Sequence, residues 1–395
     1  MSVIEQDSVE RRRAAPSRDA AVDLVRTGPG TVGGRFLRRF WIAIHRSQDL
    51  APGQAKPIRV MSEDFTLYRG ASGEPYLIDQ RCPHRGAQMH LGWIEGDDIR
   101  CVYHGWKFDC SGQCVEQPAE EASFARKVRI ATYPVREHMG LLFGYFGEGA
   151  PPAFPPYPAP AADGLIDPWK VEEVPCNYFQ CFENSMDEVH VAFVHSPGGS
   201  HAAIADLPEV SAEETPWGML RYGRRKNGKV RLSLHYMPNV TRVIVPPLAG
   251  MDGVGGWVEI FFNWMPVDDA NHLWLITSHV PLTGSAAEAY REKRAEYWRK
   301  VAEAPPARQV ALELMAGQHR YADVRHPDLA IVQDIAVQAG QGVFADRENE
   351  RLGRSDAAII LWRKILAREL RALAEGRPVK QWQVAPADML PTLGF

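Results

Sequence analysis

Two short segments of this chain each hold a cysteine and a histidine within three residues of one another. Cys82-Pro83-His84 is followed by sixteen residues and then by Cys101-Val102-Tyr103-His104. Two thiolates and two imidazoles in this order are a metal site. Tetrahedral zinc suits a Cys2His2 set, yet zinc-finger loops pair Cys with Cys and His with His. Here each loop offers one sulfur and one nitrogen donor. That interleaving suits a [2Fe-2S] cluster in which one iron takes both thiolates and the other both imidazoles. Imidazole ligands raise the potential above that of an all-cysteine cluster, so such a centre accepts electrons from a reduced flavin or ferredoxin. Pro83, Gly86, Gly92 and Gly105 allow the tight turns that aim backbone N–H groups at sulfur.

Some eighty residues downstream, Asn184-Ser185-Met186-Asp187-Glu188-Val189-His190 leads to His195, a D-x2-H-x4-H run. Mononuclear iron that activates O2 needs two histidines and one carboxylate on one face, with positions left open for oxygen and substrate. Histidines five apart miss the i,i+4 register of a regular helix. The helix must therefore distort or end near His195, and Ser196-Pro197-Gly198-Gly199 supplies an ending. Two histidines near a helix end are also a common buried, hydrogen-bonded pair; the upstream cluster motif selects the iron reading. The carboxylate must come from further along, where Asp323, Asp328 and Asp334 are the candidates.

CPHRG…CVYHGWKFD, followed by N-x2-D-x2-H-x4-H, resembles the Rieske non-haem iron oxygenases. The resemblance implies that Cys82, His84, Cys101 and His104 bind the Rieske [2Fe-2S] cluster. It implies that His190, His195 and Asp334 hold Fe(II), since AIVQDIAVQAGQGVFADRENERLGRSD matches the family's ligand segment at Asp334. Asn184 and Asp187 match the N-x2-D of that pattern and are the catalytic candidates it implies, and Asp187 would bridge the two centres by accepting hydrogen bonds from His190 and from a cluster histidine. This segment and the terminal helix most resemble the phthalate dioxygenase-like subgroup of α (oxygenase) subunits. That implies a homotrimer or a hexamer of trimers, fed from NADH or NADPH by a flavin/iron–sulfur reductase. The expected reaction is O2-dependent hydroxylation of an aromatic substrate, an aromatic carboxylate or aryl ether. An O- or N-demethylating monooxygenase uses the same iron chemistry, and a Rieske electron carrier without chemistry of its own is the alternative of another class. Arg224, Arg225 and Arg242 could hold a substrate carboxylate as forked donors, but each reads first as a surface arginine.

The elements that must position these residues divide the chain in two. Residues 1–30 read as a loose N-terminal arm, with Arg11, Arg12 and Arg13 as a solvated charge run. Residues 31–155 read as a short helix (31–39) and short strands (40–50, 58–70, 75–80, 128–146) separated by Gly turns, an antiparallel β domain with the two metal-binding loops at one end. Six prolines within 151–160 exclude a helix or central strand and place the boundary near residue 155. Residues 156–395 alternate apolar and polar side chains over 216–282, as a half-buried antiparallel sheet requires. Helices then take over at 284–304 and 355–376, with Ser285 and Ser355 as N-caps and Gly376 with Pro378 as a stop. The fold class is α+β, and the resemblance makes the second domain a helix-grip, a curved antiparallel sheet around a long helix.

The net charge is −4, from 45 basic and 49 acidic residues, so no basic field points to nucleic acid or membrane. No apolar run approaches a span, and charges near the N-terminus replace the apolar core of an export signal. A cytoplasmic, reduced protein is expected, with Cys110, Cys114, Cys176 and Cys181 as free thiols.

Overall fold

The computed structural model describes residues 23–155, 163–195 and 206–386, apart from residue 252. Most of the arm, the later prolines of the boundary stretch and Ser196–Gly199 lie outside the described residues. No helix among those described is long and apolar enough to cross a membrane.

The N-terminal half holds three small antiparallel sheets. Trp41–Arg46, Leu141–Tyr145 and Val135–His138 form the first. Ala55–Val60, Glu63–Arg69, Pro75–Asp79 and Thr132–Tyr133 form the second. Trp93–Glu95, Asp98–Arg100, Lys107–Phe108 and Cys114–Glu116 form the third. The helix Val32–Leu37 starts at Thr31, whose hydroxyl accepts the Gly34 N–H at 2.9 Å, a side-chain N-cap. The cluster motif spans the second and third sheets, with Cys82 and His84 between Pro75–Asp79 and Trp93–Glu95. Cys101 and His104 connect Asp98–Arg100 to Lys107–Phe108.

The span 58–70, expected as one strand, is a hairpin. Met61 and Ser62 turn the chain with φ of 49° and 68°, a region that non-glycine residues rarely occupy. Their N–H groups donate to the carbonyls of Pro266 and Val267 at 2.8 and 2.9 Å. A contact with the second half of the chain thus holds this turn, and no turn residue announces it.

The second half is built on a seven-stranded antiparallel sheet. Its order is Leu165–Val174, His272–Val280, Val258–Pro266, Val240–Val245, Val230–Tyr236, Gly218–Arg224 and Glu209–Thr215. The helix Tyr178–Asn184 lies on it, with the Phe182 ring 5.4 Å from Trp264 and 5.0 Å from Trp362. Trp362 belongs to the long helix Ala357–Ala374, whose Ile359, Trp362, Leu366 and Leu370 are buried. The i, i+3, i+4 spacing of that apolar stripe sets the face it turns to the sheet. This is the α+β helix-grip arrangement.

Both expected serine caps are displaced. The helix Gly284–Glu303 has Thr283 at its N-cap without a side-chain bond, so Ser285 falls inside the helix. At the terminal helix a 3-10 turn, Arg354–Asp356, comes first. There the Asp356 carboxylate accepts the Gly353 N–H at 2.6 Å, because its side chain reaches a donor three residues back.

Candidate functional site

The two cluster loops are turns of one design. The Gly86 N–H donates to the Cys82 carbonyl at 2.9 Å and the Gly105 N–H to the Cys101 carbonyl at 3.1 Å. Both glycines have positive φ, 74° and 73°, where a side chain would strain the backbone. The cysteine amides close the turns, Cys82 N–H onto Ala87 O at 2.8 Å and Cys101 N–H onto Trp106 O at 2.9 Å. Both cysteines are thereby buried, while the His84 and His104 rings meet with centres 4.4 Å apart. Trp106 stacks on His84 at 4.2 Å and 5° and so packs the loop. His84 Nδ1 is buried without a hydrogen-bond partner, which costs about 1–3 kcal/mol unless a ligand bond replaces it. Two buried thiols, two adjacent imidazoles and this orphaned nitrogen fit a [2Fe-2S] cluster. All six cysteines are free thiols, Cys110 exposed and the other five buried.

A test of these loops is Cys101→Ser. The protein should lose its visible cluster absorbance and about two irons per chain, because a hydroxyl does not supply the thiolate charge. Absorption spectra with iron analysis check this, and a variant as coloured as wild type would exclude Cys101 as a ligand.

The second candidate metal site is assembled from two elements. His190 begins the helix His190–Val194, and His195 is its C-cap, with φ −98° and ψ 3°. The helix ends at the second histidine, as five-residue spacing requires. The Tyr321 hydroxyl donates to the Val194 carbonyl at 2.9 Å and anchors that end. Asp334 arrives on the helix Leu329–Ala339. Its Oδ1 lies 3.9 Å from His190 Nε2 and 3.5 Å from His195 Nε2. Of the three candidate acids only Asp334 meets the histidines: Asp323 is exposed beside Arg320, and Asp328 sits at the N-cap of Asp334's helix.

Hydrogen bonds select the histidine tautomers. His190 Nδ1 faces the Asp187 backbone carbonyl, and His195 Nδ1 faces Gln333 Oε1 at 3.1 Å. A carbonyl oxygen only accepts, so each Nδ1 carries the proton and each Nε2 turns its lone pair toward Asp334. Burial lowers the His190 pKa, opposed in part by Asp334 and Asp187, which favours the neutral ring that binds metal. This donor set, two imidazoles and a carboxylate, fits a mononuclear iron with open positions. Asn184 Nδ2 lies 3.4 Å from both His190 Nε2 and Asp334 Oδ1, so it touches two of the three donors.

Asp187 differs from expectation in its contacts. It lies between the helices Tyr178–Asn184 and His190–Val194. Its Oδ1 accepts the Val189 and His190 backbone N–H groups at 2.8 and 3.2 Å. The His190 ring bonds the Asp187 main-chain oxygen instead of the carboxylate, because capping the following turn draws the side chain to the backbone.

These residues line a cavity of about 110 Å³, which shares Val245, Phe262, Trp274 and Asp334 with a neighbouring one of about 450 Å³. Arg221 and Arg231 also line the smaller cavity. They were missed in the sequence, whereas Arg224, Arg225 and Arg242, read there first as surface arginines, do not line this cavity. Arg242 is buried against Glu259, Arg225 pairs with Glu188 and Asp206, and Arg224 lies over the Tyr222 ring. Arg221 pairs across the sheet with Ser233, and Arg231 with Gly223, so both side chains leave the same face. Arg221, Arg225 and Arg231 converge on one carboxylate, Glu188. Burial pushes the Glu188 pKa up, but the three guanidiniums outweigh it and hold the group at about 2. Gly223 leaves the room, since a Cβ there would approach Glu188 to 3.2 Å.

Residues 40–134 match the Rieske [2Fe-2S] domain family. The chain is 31% identical over 379 residues to the 5,5'-dehydrodivanillate O-demethylase oxygenase subunit of Sphingobium sp. (strain NBRC 103272 / SYK-6), covering 90% of this chain and 81% of that one. It is 26% identical over 385 residues to the phthalate 4,5-dioxygenase oxygenase subunit of Pseudomonas putida, covering 87% and 83%. The fold matches the terminal oxygenase of carbazole 1,9a-dioxygenase from Nocardioides aromaticivorans IC177 with a TM-score of 0.62 at 18% identity, over 86% of this chain and 98% of that one.

Proposed function

This chain belongs to the Rieske non-haem iron oxygenases as an oxygenase subunit, and within that family we propose that it oxidises an aromatic carboxylate. It is an oxygen-incorporating enzyme with a [2Fe-2S] cluster and a mononuclear iron, and it works with electron-transfer partners. The bound groups supply single electrons and O2 activation. In our reading Cys82, His84, Cys101 and His104 of a cluster domain (31–155) hold the cluster. His190, His195 and Asp334 of a catalytic domain (156–395) hold the iron, with Asn184 orienting Asp334.

The observation that carries the substrate reading is the cationic wall beside the iron donors. Arg221 and Arg231 line the cavity, and three guanidiniums share Glu188. Arg221 Nε is buried without a hydrogen-bond partner. A substrate carboxylate would complete that set as a forked acceptor, with its ring against Phe262 and Trp274. The test is substrate-dependent O2 uptake with a surrogate reductase, comparing aromatic acids with their methyl esters. Acids should stimulate uptake and esters should not; equal stimulation would remove the carboxylate from the reading. The 31% identical relative is named as an O-demethylase, so methoxylated acids belong in the panel. Formaldehyde release would mark demethylation.

The oligomer is proposed as a homotrimer or hexamer of trimers, with a flavin/iron–sulfur reductase as the donor. Leu91, Trp93, Val102 and Tyr103 around the cluster loops are exposed, an apolar face suited to a partner surface. Asp187 is proposed to bridge through its main-chain oxygen on the His190 ring and its carboxylate on a neighbouring cluster histidine. Asp187→Asn keeps a capping side chain and should retain both metals while slowing cluster reoxidation about 10–100-fold. Single turnover of pre-reduced protein with substrate and O2 measures this. Reoxidation at the wild-type rate would show that Asp187 is not the bridge.

A further inference from the structure

A second group of metal-type donors lies against the iron pocket. The ligand atoms of Cys176, Cys181 and His272 fall within 4.8 Å of one another, and all three residues are buried. His272 is not available to an ion. Its Nδ1 faces the Cys176 carbonyl at 2.8 Å, so that nitrogen carries the proton, and its Nε2 accepts the Trp274 Nε1–H at 2.8 Å. Both ring nitrogens are committed, and what remains is a pair of thiols.

The helix start brings the thiols together. Asn177 is the N-cap of Tyr178–Asn184 and accepts the Phe179 N–H at 3.1 Å. Cys176 therefore precedes the cap and Cys181 is the fourth helical residue, the two positions whose side chains pack as a staple across a helix N-terminus. Cys181 also lines the cavity that holds His190, His195 and Asp334. It contacts Gln338, one turn beyond Asp334.

We propose that Cys176 and Cys181 are an oxidisable pair that consumes hydrogen peroxide formed in the adjacent iron pocket when O2 is reduced without substrate. The proposal rests on the iron reading above for the source of the oxidant. One thiol sulfur attacks the peroxide O–O bond; one oxygen leaves as water, and a sulfenic acid remains. The second sulfur displaces the hydroxyl, which leaves as a second water, and the S–S bond closes. The two thiols lose two electrons and two protons, and the peroxide takes them up. Because Cys181 forms part of the cavity wall, an oxidant made there meets it before leaving the protein.

The test uses the iron-loaded protein with exposed Cys110 alkylated beforehand. After brief exposure to equimolar hydrogen peroxide it is denatured, alkylated, digested with trypsin and weighed. The peptide Val171–Arg221 should be lighter by two hydrogens and refuse alkylation, and dithiothreitol should restore both thiols. Cys176→Ser protein should instead retain an oxygen adduct at Cys181. Two freely alkylated thiols after peroxide would overturn the proposal whether or not the iron reading holds. A second arm gives the reduced protein O2 without substrate, with catalase in solution. Wild type should form the disulfide and Asp334→Ala should not. Equal disulfide in both would sever the pair from the iron pocket, while metal content and product formation continue to judge the oxygenase reading separately.

Discussion

Asp334→Ala should keep the visible spectrum of the cluster and lose the mononuclear iron, from about three irons per chain to about two. Asp334 supplies the only carboxylate oxygen within 4 Å of both histidine Nε2 atoms among the described residues. Removing it leaves two neutral imidazoles, which neither balance the charge of Fe(II) nor complete the facial set. Oxygenase turnover should fall by more than the ~100-fold expected from loss of an outer hydrogen bond. The cluster loops share no element with the helix Leu329–Ala339, so the spectrum should not change. Asp323→Ala and Asp328→Ala serve as controls. Asp323 is exposed, and its variant should retain iron and turnover. Asp328→Ala takes away the hydrogen-bond partner of Tyr297 but no cap bond and no iron donor, so it should lose some stability and keep iron. Metal analysis and substrate-dependent O2 uptake measure all three. An active Asp334→Ala enzyme alongside an inactive Asp328→Ala enzyme would reassign the ligand.

Glu188→Ala should be the most destabilising single change near the site. Its carboxylate is the shared partner of Arg221, Arg225 and Arg231, and Glu188, Arg221 and Arg231 are buried. Deleting it strands guanidinium charges in the interior, at a cost of about 3–5 kcal/mol. That is a large share of the ~5–15 kcal/mol that separates a folded domain from its unfolded chain. Denaturant midpoints measure the loss. Adding Arg231→Met should recover part of it, because one stranded charge is then gone; no recovery would mean that charge is not the cause. The same cluster shapes the acid response. Glu188 is held at about 2, below its ordinary 4.5, so its contribution is complete above the ordinary value and fades as pH falls toward about 2. Glu188→Ala lacks that contribution, and its disadvantage relative to wild type should shrink over the same window.

The cluster loops were legible because their structure is local. Each cysteine carbonyl is satisfied by a glycine four residues on, Gly86 or Gly105, and the positive φ both adopt explains why glycine stands there. Hydrogen bonds that close within four residues are written in adjacent letters. The same holds for His190 and His195, whose spacing called for a helix that ends at the second ring. Tertiary structure alone decided the rest. Asp334 is 139 residues beyond His195, and its choice over Asp323 and Asp328 depends on how the helix Leu329–Ala339 docks. The Met61–Ser62 turn exists because Pro266 and Val267 offer carbonyls from another sheet. The Asp187 side chain went to a backbone cap instead of the His190 ring. The arginines show the limit most clearly. Arg221 and Arg231 reach the cavity while Arg224 does not, because residues an odd number apart on a strand, such as Arg221 and Arg224, face opposite sides. A slip of one residue in the pairing of Gly218–Arg224 with Val230–Tyr236 would exchange those faces. The register of a seven-stranded sheet is set by all its strands together, so no single stretch of sequence contains it.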